Sequence, residues 1–305
     1  MARSWPELNA DRDHETFAIL HLASQMLGKL RVAHSTWVNH GWNVTLHPVP
    51  EGLAIEPIPT TDSSFSLVLD LTRHAIILHV GDGEVDQLPL DLGSIAALHH
   101  ALIAMLKSHG LPSAFHGLPN EIADAVAFSD DSLPRQYDPD SAERLHSALL
   151  CIEPVFERFR AGFIGKSSPL HFFWGSFDLA VTRFSGRPAP PHPGGVLGLP
   201  DRITREAYSH EVSSAGFWPG GVTPADPIFY SYAYPEQQGF KAANIQPSAA
   251  RYDEALGEFV MSYDAIRCST DPAGELMAFL QSIYDAAADL AHWDRQALER
   301  EPVAP

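Results

Sequence analysis

Basic residues are scarce: against 38 Asp and Glu the chain sets only 20 Lys and Arg, a formal net charge of −18 over 305 residues. A surface of that sign repels nucleic-acid phosphates and anionic lipid, so neither is expected as a partner. Cysteine is rarer still. Cys151 and Cys268 stand far apart in or near apolar-periodic segments, which gives no disulfide framework and predicts two reduced, buried thiols. No run of about eighteen uninterrupted apolar residues occurs, which removes the case for a membrane-spanning helix. The opening Met1-Ala2-Arg3-Ser4-Trp5-Pro6, followed by Glu7, Asp11, Arg12 and Asp13, holds no apolar stretch of signal-peptide length, so a cytoplasmic location is expected.

What is present is ample apolar material, 45% of the chain, enough for one large core or two ordinary ones. Ile19, Leu22, Ala23, Met26 and Leu30 share a helical face. Trp42, Val44 and Leu46 alternate as in a strand, as do Phe65, Leu67, Leu69 and Leu71, then Ile76, Leu78 and Val80 before the turn signal Gly81-Asp82-Gly83. Helical spacing returns at Ile95, Leu98, Leu102, Met105 and Leu106, stopped by Gly110 and Pro112. Residues 119–137 lack a sustained period and read as a linker. Asp138-Pro139 then opens a helix over Leu145, Leu149, Ile152, Phe156 and Phe159, with Pro154 expected to kink it. Strands are predicted at 176–184, 228–233 and 258–263, and Asp271-Pro272 starts a last helix. The fold class is therefore α+β: two consecutive helix–antiparallel sheet–helix units, 1–118 and 138–305, packed as one compact body. A faint internal similarity, Leu27-Gly28-Lys29 before Trp42 to Leu46 and Ile164-Gly165-Lys166 before Phe177 to Val181, raises an internal duplication in which each Gly-Lys ends a helix and Asn43 and Asp178 are equivalent.

Three segments carry a resemblance: Val38-Asn39-His40-Gly41-Trp42, the run from Gly165 through His171-Phe172-Phe173-Trp174-Gly175-Ser176-Phe177-Asp178 to Arg187, and Tyr208-Ser209-His210-Glu211 through Phe217-Trp218-Pro219-Gly220-Gly221. Together they resemble the bacterial family of unknown function DUF5996 over nearly the whole chain. The resemblance brings no activity, substrate or cofactor with it.

Chemistry-bearing residues concentrate in the second half. His171, His210, Glu211 and Asp178 are the candidate catalytic groups, and His171, His210 and Glu211 could ligate a divalent metal, since imidazole and carboxylate suit zinc, iron or manganese. The spacing matches no ligand signature, and adjacent His210 and Glu211 would point to opposite sides of a strand. Arg183 and Arg187, with Lys166, could grip an anionic substrate among Trp174, Trp218, Tyr208 and His40; the bland alternative pairs the arginines with Asp178. Tyr230, Tyr232 and Tyr234 share one strand face, as core or as pocket lining. The long segment from Arg187 to Pro227 suggests either a cover over the site or a cover for a sheet edge. Gly165-Lys166-Ser167 is no phosphate loop, because Arg160 stands where its first glycine belongs, and Gly175-Ser176 lacks the closing glycine of a nucleophile elbow. These residues predict a small-molecule enzyme or, without groups poised for proton transfer, a non-catalytic binder of a small ligand.

Overall fold

Asn9 starts the first helix, α1 (Ala10–His34), by accepting from the Arg12 backbone N–H at 2.9 Å. The structure, a computed structural model, describes residues 4–222 and 225–300. α1 does not end at Gly28-Lys29 as the duplication required. It runs through them, and since a Cβ at Gly28 would enter the Trp174 indole, glycine here permits a close approach. α1 is buried from Phe17 to Arg31, polar residues included. Trp42 and Val44 are not in a strand: Asn39–Val44 forms a 3-10 turn in which His40 (φ 61°) and Gly41 (φ 70°) take left-handed backbone.

The strands follow as β1 (Leu46–Val49), β2 (Gly52–Ile55), β3 (Ile58–Pro59), β4 (Ser64–Asp70), β5 (Ala75–Val80) and β6 (Gly83–Pro89), then α2 (Ile95–Ser108). Residues 109–138 carry no helix or strand. Asp138 caps α3 (Pro139–Ala161) by accepting from Asp140 and Ser141 N–H, and the helix continues through Pro154. The second half supplies β7 (His171–Phe173), β8 (Asp178–Pro188), α4 (Asp201–Ala207), β9 (His210–Trp218), β10 (Ile228–Tyr234), β11 (Arg251–Asp253), β12 (Glu258–Ser262), α5 (Tyr263–Arg267), α6 (Pro272–Leu290) and α7 (Arg295–Leu298).

The two halves do not build separate sheets. One antiparallel sheet of 12 strands runs β11-β12-β10-β9-β8-β7-β1-β2-β4-β5-β6, with β3 on β4. β1 and β7 join the halves at Leu46↔Phe172. The fold is α+β as read, but the proposed equivalence is not shown: Gly28 lies inside α1 and Gly165 beyond the end of α3, while Asn43 sits in the 3-10 turn and Asp178 opens β8.

α1, α3 and α6 pack together on one sheet face, against Leu179, Val181, Phe217 and Phe229. Odd-numbered residues of β8 face these helices, and period-2 alternation sends Asp178, Ala180, Thr182 and Phe184 to the other face. No helix among the described residues is long and apolar enough to cross a membrane. Neither Cys151 nor Cys268 is in a disulfide, and neither is buried as expected: Cys151 is half-buried and Cys268, just past α5, is exposed.

Candidate functional site

The sheet face turned away from the helices holds a cleft of about 520 Å³. Its floor is the alternate residues of three neighbouring strands: Asp178 to Phe184 on β8, Val212, Ser214 and Trp218 on β9, and Tyr230 and Tyr232 on β10. Its roof is the segment carrying α4, through Val196, Leu199, Ile203, Thr204 and Tyr208, and one wall is the 3-10 turn with His40 and Trp42. Roof and wall are tied together, since Glu206 accepts from the Trp37 indole N–H (2.9 Å) and the His40 backbone N–H (3.2 Å). The His40 Nδ1 lies 3.2 Å from the Ala207 carbonyl oxygen, so Nδ1 carries the proton and Nε2 accepts from Lys166 Nζ at 2.6 Å. Burial and the neighbouring Lys166 charge lower the His40 pKa, in keeping with a neutral ring.

Three carboxyl groups line the cleft: Glu121, Asp178 and Glu258. Asp178 is buried and accepts from the Ser176 and Tyr230 hydroxyls. Tyr230 reaches it because its register partner Gly216 has no Cβ, leaving room for the ring to lie across β9. Burial raises the pKa of all three, Glu121 to about 7 and Glu258 to about 8, with the Asp178 charge adding to the shift in both. No hydrogen bond or ion pair among the described residues engages the Glu121 or Glu258 carboxyl.

Glu121 is held in place from α1. His21, Gln25 and Lys29, one turn apart along a single stripe, stand where a buried helix would ordinarily be apolar. His21 Nε2 lies 2.9 Å from the Gly175 carbonyl. Gln25 brackets Asn120, accepting from its backbone N–H at 2.7 Å and donating to its carbonyl at 2.9 Å. Lys29 Nζ donates to the Asn120 side chain, and burial lowers its pKa to about 8. Asn120 and Gly175 thus fix the two backbones that meet at the Glu121 side chain, which passes where a Cβ on Gly175 would stand.

The expected site residues divide. Trp174, Trp218, Tyr208, His40 and Asp178 line the cleft. Lys166 stands at its edge, 5.4 Å from the Trp42 ring centroid and 4.8 Å from that of Phe184. His210 lies beside this corner, its ring 6.2 Å from His40, with Nδ1 3.0 Å from Ser209 Oγ.

The others are elsewhere. Glu211 points to the opposite face from His210 and accepts from Arg187 Nη2 at 2.7 Å and Ser185 Oγ at 2.8 Å. Arg187 also donates to the Ala291 and His292 carbonyls, so the pair pins β8 and β9 to the end of α6. Arg183, 1% exposed, projects into the helical side. Its guanidinium lies 3.5 Å from the Phe159 ring centroid and 4.2 Å from that of Tyr284, donates to the Phe159 carbonyl, and has its pKa lowered to about 10 by burial. Neither arginine lines the cleft, and neither pairs with Asp178. His171 is fully buried on β7, its ring nitrogens without hydrogen-bond partners among the described residues and its pKa lowered to about 3 by burial. The expected metal set of His171, His210 and Glu211 is not assembled: no group of three His, Cys, Asp or Glu that could hold a metal ion occurs among the described residues.

Glu121 and Glu258 were not among the expected site residues. Glu258 is legible only once β12 is known to pair with β10, because a carboxylate opening a strand otherwise reads as solvent-facing. Glu121 lies in the segment read as a linker, where no periodicity gives its side chain a direction.

No curated protein and no solved structure matches the chain. The sequence profile of one family of unknown function matches residues 5–300, which include every strand and every wall of the cleft. The chain belongs to that family, DUF5996.

Proposed function

We propose that this protein binds a small, largely apolar organic molecule between the β8–β10 sheet face and the α4 cover. The observation that carries the reading is the cleft itself: about 520 Å³ is within the range of small-molecule sites, and Trp42, Phe173, Trp174, Phe184 and Trp218 supply broad apolar walls. Reduced thiols and the acidic composition favour a cytoplasmic ligand-binding role over one on nucleic acid or membrane. The test uses three naphthalenes of one skeleton, 2-naphthylmethanol, 2-naphthylmethylamine and 2-naphthoic acid, titrated by tryptophan fluorescence. At least one should bind saturably at 1:1, and binding should vanish in Ala180→Trp, which fills from the floor, and in Ile203→Trp, which fills from the cover and leaves the sheet's own residues unchanged. Binding by none of the three, or binding that survives both filled variants in folded protein, would overturn the reading.

A second reading, catalysis of proton transfer on the bound molecule, is favoured by Glu121 and Glu258. Carboxyls raised to about 7 and about 8 can each give or take a proton near neutrality.

A further inference from the structure

The polar groups of the cleft are unequally spent. The Trp174 indole N–H donates to the Val44 carbonyl at 2.7 Å, and the Trp218 indole N–H to the Ser176 carbonyl at 3.0 Å. The Tyr208 and Tyr232 hydroxyls bond each other at 2.7 Å, and those of Thr182 and Ser214 do so at 2.9 Å. Tyr230 and Ser176 donate to Asp178. His40 is occupied on both ring nitrogens. Among the described residues, what remains for a ligand is the Glu121 and Glu258 carboxyls, which no hydrogen bond or ion pair engages, and the hydroxyl of Thr204, a residue 2% exposed on the cover whose Oγ1 has no partner. Among the described residues the lining contains no Lys or Arg.

We infer that the occupant of this cleft is an organic cation, a protonated amine or quaternary ammonium carried on an aromatic or apolar body, with its charge set between Glu121, Asp178 and Glu258. The inference rests on the reading of the cleft as a small-molecule site. An anion would meet three carboxyls, and the one ammonium at the cleft's edge, Lys166, is already engaged by His40 Nε2. A neutral molecule would leave carboxyls desolvated and unpaired, at a cost that a cation removes. A bare metal ion does not fit, because these carboxyls do not converge in a ligand cluster with one another or with a histidine. An organic cation needs no such convergence: its charge is spread over several atoms, and ring faces whose N–H groups are already engaged supply the rest of its shell.

The naphthalene series at pH 8.5 tests this. The amine should bind roughly tenfold or more tightly than the alcohol, as charge-assisted contacts to carboxylate imply, and the acid should bind weakest. Glu258→Gln and Glu121→Gln, which keep shape and remove charge, should erase most of that preference by weakening the amine far more than the alcohol. If the alcohol or the acid equals or exceeds the amine, or if the preference for the amine survives both glutamines, the charge assignment is wrong although the cleft still binds. Failure of all three to bind would instead remove the small-molecule site itself.

Discussion

At the scale of single residues, parity along β8 separates chemistry from packing. Asp178 and Arg183 are five positions apart, so on a strand they face opposite ways, and the pairing considered for them is geometrically closed. Arg183 works in the core, its planar head between the Phe159 and Tyr284 rings. Arg183→Ala should cost about 2–4 kcal/mol in urea unfolding, because it removes both packing and ring contacts. Arg183→Met should cost less by keeping the stem's volume without a buried charge. Both variants should bind the naphthalene probes as the parent does, and weakened binding by a folded Arg183 variant would move this residue back to the site. The parity was available in the sequence, as was the divergence of His210 from Glu211. The face on which each parity class ends was not, since both faces of β8 are buried.

At the scale of elements, capping and turn chemistry were legible. Asp138 and Asp271 cap α3 and α6 as their Asp-Pro starts predict, each worth about 1 kcal/mol, and Gly110 (φ 68°) follows the end of α2. α1 was misread at its end because its information is tertiary. Gly28 is shaped for Trp174, His21 and Gln25 for backbone that arrives from residues 175 and 120, and Lys29 for the Asn120 side chain. Periodicity reports an apolar face; it does not report a polar stripe whose partners come from another part of the chain. Gln25→Ala tests the function of that stripe. It leaves the Asn120 N–H and carbonyl without their partners, which should cost about 1–3 kcal/mol and speed amide hydrogen exchange at residues 120–121. It should also weaken binding of 2-naphthylmethylamine more than that of the alcohol, by loosening the Glu121 carboxyl. Unchanged exchange at 120–121 would show that Gln25 does not hold this segment.

At the scale of the whole molecule, the α+β class and antiparallel pairing could be read from alternation, whereas the fusion of two meanders into one sheet could not. Leu46 and Phe172 meet across the join with no sequence signal linking them, and that join aligns β8–β10 opposite the wall formed by residues 37–44. In a chain of net charge −18, the cleft so formed puts carboxyls on the inside as well as the outside, which couples stability to pH. Glu258 faces Asp178, Tyr208 and Tyr232 across the cleft and Asp253 beside it, with Glu121 and His40 contributed by the other walls and Lys166 at the edge, bound to His40. Its pKa is raised from an ordinary 4.5 to about 8, first by burial and then by Asp178 and Asp253. The folded protein therefore keeps a proton that the unfolded chain has released. Stability should fall as pH rises from about 4.5 towards 8 and level off above, with Glu121 adding a parallel loss that ends near 7. Partial exposure of Glu258 screens the effect to roughly 1–3 kcal/mol. Glu258→Gln should accordingly melt roughly 2–5 °C above the parent at pH 8.5 and match it near pH 4.5. Saturating 2-naphthylmethylamine should produce the reverse dependence, raising the parent's melting temperature more at pH 8.5 than at pH 6, because the cation displaces protons that Glu258 and Glu121 still hold at the lower pH. Melting curves at both pH values, with and without the amine, check the argument in one experiment: a parent and Glu258→Gln that respond identically would mean that this carboxyl titrates in the folded protein as it does in the unfolded chain.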